Sequence, residues 1–508
     1  MRTLLTFACV GLAWGWQPTK QPLERAAEEF KVVTQELGLR SDSPAPKAAR
    51  GSFISGWHGR VYENFRNDKL DATPHEVVQR GGSRNLLRRN QFGFNVGGPL
   101  VIPRIYEGSR KTFFNVSYEG VRERIGRSTL STVAIDAERS GDFSRTVDPA
   151  GNPLPIYDPQ STRLNASYNP TQPVSMGNPQ YARDPFAGNL IPATRLDPVA
   201  MKTLDFYPRA NSNAGPFFRN NYFVFSPETN QANGMIFKVD HTVGERHRLT
   251  FNGSFTSGLA RAPRLFDTIA DSGLNDRDFS ARRGVLDWTF TRNASTVHAL
   301  TFDVQSDKTR SNRPGQQGAL ATIGLQGPLR DAFPAFRFAP YLPTGRMNPS
   351  IVSGHNYFYL TDAISTRLGK HRLRGSGQVR RYQVNAYAPR WPAGSFDFGP
   401  SLTSLPGVNN TGHGFASFLL GLAEGGAATI AEHPSYWRGN YFRLSGADTY
   451  EYAKNLVITA SFALEMTGAR TEKFDRFGSV DLSVINPANG RPGALIFANR
   501  YGVGRALQ

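Results

Sequence analysis

Few residues in this sequence are spaced for chemistry, and each has a plainer reading. HEVV, residues 75–78, opens like the helical zinc-protease motif, in which two histidines four apart hold the metal and a glutamate acts as general base. Position 79 is Gln, so the second ligand is missing. His247 in GERHRL and His371 in GKHRL would suit a metal, but each adjoins arginine in a turn-forming stretch and is expected on a turn surface. A nucleophile elbow needs Gly-x-Ser-x-Gly, which neither NGSFTSG nor GFASFLLG supplies. GFNVGGP, residues 93–99, is glycine-rich, yet no Lys-Ser or Lys-Thr follows to hold a phosphate. Its glycines read instead as a strand bend or tight backbone packing. No catalytic, cofactor-binding or metal-binding residue is assigned, substrate-binding residues stay unknown, no cofactor is expected, and an enzyme is not expected.

Charge is the feature that asks for a partner. Lys and Arg number 59 against 41 Asp and Glu, a formal net charge of +18. Short basic clusters stand at RNLLRR (Arg84 to Arg89), Arg122 to Arg127 and Arg372 to Arg381. A nucleic-acid binder would gather such residues on one face among aromatics. Here they are dispersed through turns and polar strand faces, so no nucleic-acid partner is expected. Arginines at strand ends or along a lumen could instead meet lipopolysaccharide phosphates or an anionic solute through bidentate bonds.

The elements that would position these residues are strands. In FKVDHTVGERHRLTFNGSFT, residues 237–256, Leu249, Phe251 and Phe255 fall on one face and Thr250, Asn252 and Ser254 on the other, with a turn at Gly244-Glu245-Arg246. This is an antiparallel hairpin with one apolar and one polar face. A soluble sandwich would turn the apolar face inward, and an outer-membrane barrel would turn it to lipid and keep the polar face in the lumen. Similar alternation runs through 111–121, 285–291, 296–305, 362–379 (turning at Gly369-Lys370), 439–452 and 455–468. Between them lie long segments rich in Pro, Asn, Gly and Asp, notably 140–220 and 306–350, longer than compact soluble domains usually tolerate. Short turns alternating with long loops lean toward the barrel. Tyr118, Trp288, Tyr441, Tyr450 and Tyr452 fall near strand ends, where an interfacial girdle would place them.

Residues 1–15 read as a secretory signal: Arg2, an apolar run from Leu4 to Trp14, and Ala13-Trp14-Gly15 as the cleavage site. Cys9, the sole cysteine, would leave with it. A short helix over 21–38 and a linker then fill residues 16–51. No later window holds the roughly 20 apolar residues of a spanning helix, so any crossing is by strands.

Several blocks, in order, resemble TonB-dependent receptors of the Oar-like kind: VYENFRNDKLDA (61–72), NQFGFNVGGPLVIPRIYEGSRKTFFNVSYEGVRER (90–124), SGDFS (140–144), IYDP (156–159), NLIPATRLDPVAMKTLDFYP (189–208), NNYF (220–223), the 237–255 hairpin, GKHRLRGSG (369–377), TGHGFASFLLGLA (411–423) and RPGALIFA (491–498). The resemblance implies an all-β, antiparallel transmembrane β-barrel over 52–508 in the outer membrane of a Gram-negative-type bacterium. It would contact outer-membrane lipid and lipopolysaccharide and take up an unidentified solute with energy passed by a TonB complex. The family's plug domain and TonB box are not found here, and about a dozen strands stand where such transporters have 22. The expectation is therefore a partial barrel, a truncated member. The alternatives are a secreted non-enzymatic β-rich binding or adhesion protein and, more remotely, a secreted carbohydrate-active enzyme, which would need a carboxylate pair in a shared cleft.

Overall fold

The computed structural model describes residues 56–73, 75–79, 84–148, 150–213, 215–312, 317–327, 329–430, 433–500 and 503–505. The signal, the helix over 21–38 and the linker lie outside them. One large antiparallel sheet dominates, with its strands in sequence order: β1 (His58–Asn67), β2 (Leu87–Pro99), β3 (Thr112–Ser131), β4 (Tyr222–Val243), β5 (His247–Arg261), β6 (Asp276–Asn293), β7 (Thr296–Asn312), β8 (Ser350–Leu368), β9 (His371–Tyr387), β10 (Ser435–Ala453) and β11 (Leu456–Thr467). The short Thr471–Glu472 also pairs with β10 and makes the sheet 12-stranded. Among the described residues β1 and β11 are its edges, and no helix is long and apolar enough to cross a membrane.

Directly opposed residues in a ladder share a face, so the register can be followed across the sheet. From Phe114 on β3 it runs through Val239, Phe251, Leu286, Phe302, Leu360, Val379 and Phe442 to Met466 on β11. Every member is apolar, and Phe251, Leu286, Phe302, Leu360, Val379, Phe442 and Met466 are all exposed. One residue along, on the opposite face, the same ladders align Asp240, Thr250, Asp287, Thr301, Thr361, Gln378, Arg443 and Glu465. Hydrogen bonds run along this polar row, from Thr250 to Asp240 (2.7 Å), Thr301 to Asp287 (2.6 Å) and Gln378 to Thr361 (3.1 Å). The hairpin of 237–256 thus has the two faces its alternation implied. An exposed greasy row beside a hydrogen-bonded polar one is the reverse of a soluble sandwich, which would bury the first.

All the tight turns, at 244–246, 294–295, 369–370 and 454–455, lie at one end of the sheet. The long connections, 132–221, 262–275, 313–349 and 388–434, leave from the other. Two of them largely coincide with the long segments 140–220 and 306–350 rich in Pro, Asn, Gly and Asp, and the protein's main hydrophobic core among the described residues is here. Phe143, Ile156, Phe333, Phe338, Phe415, Phe418 and Leu419 are essentially inaccessible and belong to one cluster. Phe338 packs its ring 4.7 Å from Phe418, 5.3 Å from Phe415 and 5.4 Å from Tyr207. Polar ties fasten the pieces: Asn221 exchanges side-chain bonds with the Val133 backbone (2.9 and 2.8 Å), Tyr207 donates to the Leu342 carbonyl (2.8 Å), and Arg346 pairs with Asp271 (2.8 Å) where both are buried. The short helices α1 (Pro198–Leu204), α2 (Ala319–Ile323) and α3 (Gly414–Leu419), together with Asp136–Arg139, sit within this cap. Asp197 caps α1 by accepting from the Ala200 amide at 2.9 Å.

Candidate functional site

On the polar face from β6 to β10, alternation delivers a tyrosine and arginine patch. Register sets Tyr359 opposite Arg380 and Arg380 opposite Tyr441, so the guanidinium lies between two rings, 5.5 and 4.8 Å from their centroids. Next along, Tyr357 and Tyr382 face each other with rings 5.8 Å apart, and Tyr359 lies 6.2 Å from Tyr382. Arg283 donates to Asp303 from Nε (3.0 Å) and Nη2 (2.7 Å) beside them. Toward the cap, His355 bonds Ser353 (3.0 Å) and Tyr357 (3.3 Å). Arg380 Nε is buried with no hydrogen-bond partner among the described residues. Rings, phenols and an unsatisfied charged donor can stack on and hydrogen-bond a polar or anionic solute, or seat a polar protein segment. Sequence inspection missed this patch, because the signal is the pairing of 359 with 380 and 441, which only the register supplies.

The residues singled out earlier fall elsewhere. His247 lies at the turn end of the apolar face, ring-stacked 4.7 Å from Phe290 and accepting from Trp288 Nε1 at 3.1 Å. His371 stacks on Tyr450 at 4.5 Å and pairs with Asp448 at 2.7 Å. His75 opens the short helix His75–Gln79. Among the described residues no group of three His, Cys, Asp or Glu is gathered as for a metal. Gly93, in the glycine-rich run, stands where a Cβ would collide with the Tyr118 carbonyl oxygen, which supports close backbone packing. Of the girdle residues, Trp288 and Tyr450 lie on the apolar face at the turn end and Tyr118 on the same face toward the cap. Tyr441 does not belong with them: its place opposite Arg380 puts it on the polar face, a correction that follows from the two-residue strand period.

In the cap, His413 is buried between Phe143 and Tyr341, with ring centroids at 5.7 and 5.1 Å. Its Nδ1 accepts from the Phe415 amide at 3.2 Å and so caps α3. Burial, helped by the positive charge of Arg219, lowers its pKa from 6.5 to about 4. The folded state therefore holds this proton less tightly than the unfolded chain. The stability tied to the neutral ring is full above about pH 6.5 and is lost as the pH falls through 4, at most about 3 kcal/mol. Glu138, which accepts from Thr146 and Tyr341 at 2.8 Å, is pushed the other way by burial, so its cost fades as the pH falls. Comparing hydrogen exchange of the cap at pH 7 and 4 in the wild type and in His413→Asn isolates the imidazole. Asn keeps a capping oxygen, so the variant is expected to lose less protection on acidification.

A family model described as "Outer membrane beta barrel domain" matches residues 55–508. No curated protein matches. Among solved structures, a mutant ferric enterobactin receptor from Pseudomonas aeruginosa is similar at 9% identity and TM-score 0.35, covering 82% of this chain and 41% of that one. The outer membrane transporter YddB from Escherichia coli is similar at 8% and 0.37, covering 82% and 40%. The ferric-catecholate import receptor Fiu from E. coli gives 8% and 0.27, covering 82% and 57%. The chain thus spans about two fifths of the length of the first two. With a single family model running through the sheet and its cap, the chain belongs to the outer membrane beta barrel domain family and is a protein of the outer membrane.

Proposed function

We propose that the chain forms barrel wall and external cap of an Oar-like, TonB-dependent-receptor-type transporter that takes up a solute, and that it performs no bond-making chemistry. In this reading residues 1–15 are a secretory leader, 16–51 a short helix and linker, and 52–508 the wall with its loops. The cap meets the solute outside, and the polar face admits it past Tyr359, Arg380 and Tyr441. The observation that carries the reading is that patch: a cation with an unsatisfied buried donor between two rings, placed on the face turned away from lipid. Among the described residues the edges β1 and β11 leave unpaired backbone groups at several kcal/mol each in lipid, which supports a wall completed by further strands.

The test is the mass and partners of the native protein in its source cells. A heat-modifiable outer-membrane band heavier than 56.1 kDa, crosslinking to TonB, is expected. A soluble band at or just below that mass without a TonB adduct would overturn the reading and favour a secreted binding protein.

A further inference from the structure

From Leu164 to Ala182 the cap holds no charged residue, in a chain where charged residues make up 20%. The segment is rich in Asn, Gln, Ser, Thr, Pro and Tyr, and most of it is exposed. It is nevertheless ordered from within. Asn178, buried at its centre, donates to the carbonyls of Asn169 (3.0 Å) and Gln172 (3.2 Å) and accepts from the Asn169 amide (2.9 Å). Asn165 donates to the Pro179 carbonyl at 2.7 Å. Such a loop presents neutral donors and acceptors in a fixed arrangement, so a ligand has little left to order.

The polar face of the wall is not basic either, although the chain carries +18. Around the tyrosine and arginine patch, four successive rows, from Ala281 to Asp287 on β6 and carried across to β11, hold the cations Arg283, Arg380 and Arg443. The same rows hold the acids Asp287, Asp303, Asp307 and Glu465. Arg283 pairs with Asp303 (2.7 Å) and Arg443 with Glu465 (3.5 Å). Arg380 has no carboxylate within ion-pair distance among the described residues. Nor has Asp287 or Asp307 a cation there, and these two accept from Thr301 (2.6 Å) and Gln305 (2.7 Å) instead. One unpaired cation beside two unpaired acids gives the patch no field that would gather anions.

We propose that the solute is a neutral oligosaccharide. A sugar ring has an apolar face of C–H groups and a rim of hydroxyls that both donate and accept. Tyrosine matches it with an apolar ring and a polar tip. The Arg283–Asp303 and Arg443–Glu465 pairs set donors beside acceptors, as neighbouring hydroxyls require, without net charge. Tyr359 and Tyr441 share one ladder position with Arg380, and Tyr357 and Tyr382 lie two residues further, about 7 Å along the strands. Aromatic contacts thus recur at a spacing of the order of one sugar unit. The inference rests on the transporter reading for the solute's path and adds its chemical class.

The test titrates the full chain in detergent micelles with neutral hexasaccharides (maltohexaose, cellohexaose, laminarihexaose and mannohexaose) and with hexagalacturonate as an acidic counterpart of equal length. At least one neutral hexamer is expected to bind about tenfold or more tighter than the acidic one, with little change when salt is raised. Tyr441→Ala is expected to weaken that binding about tenfold, Tyr441→Phe less, and Tyr450→Ala, on the apolar face, hardly at all. Binding of hexagalacturonate alone, or of no neutral hexamer, would overturn the proposal, as would equal losses in Tyr441→Ala and Tyr450→Ala. Should Tyr441→Ala fail to assemble, as read by heat modifiability, the wild-type comparison of neutral and acidic hexamers decides alone. Failure here with a TonB adduct still formed would strike the solute class and leave the transporter reading, which stands or falls on that adduct.

Discussion

Leu360→Arg should cost the membrane-embedded protein about 2–4 kcal/mol, the price of a cation near the middle of a lipid-facing band, whereas Thr361→Arg, one residue along, should cost far less. Leu360 is 45% exposed and lies between Phe302 and Val379 in the apolar row. Thr361 accepts from Gln378 in the polar row, where water reaches a new charge. Urea unfolding in lipid vesicles, followed by heat modifiability on gels, measures both. Equal losses in the two variants would mean that the faces are assigned wrongly.

A second large effect is expected from Phe338→Ala in the cap. The ring is 1% exposed and packs among Tyr207, Phe415 and Phe418. Its removal leaves a cavity where side chains from separate connections meet, which commonly costs about 3–5 kcal/mol. The loss should appear as faster proteolysis and hydrogen exchange throughout 132–221 and 388–430, with heat modifiability of the wall retained. Protection lost only near residue 338 would show that the connections fold independently.

Alternation located most of the sheet because lipid on one side and water on the other force a strict period of two. It did so at 237–256, 285–291, 296–305, 362–379, 439–452 and 455–468. It underestimated strand length toward the cap, where β6 starts at Asp276 and β8 at Ser350. There both faces are polar, as at Asp278, Lys308 and Arg310, and the period has nothing to mark. β1 was flagged only by resemblance, its outward positions mixing Val61 with Glu63. The cap was illegible for another reason. Its apolar residues, such as Phe143, Ile156, Phe266 and Phe338, are scattered among Pro, Gly and Asn at no fixed interval, and their common burial comes from segments far apart in the chain. The tyrosine and arginine patch escaped in the same way, since no window contains both Tyr359 and Tyr441.

That dispersion of the cap's core has a kinetic consequence. Val133 and Leu419 belong to one cluster although the whole of β4 to β9 lies between them. Closing so long a loop by itself is entropically unfavourable, and contacts at such separation form late. The strands between must already be zipped in register before the aromatic cluster can condense. The cap is therefore the final event of folding, and a wall with one slipped hairpin would leave its phenylalanines bare to proteases.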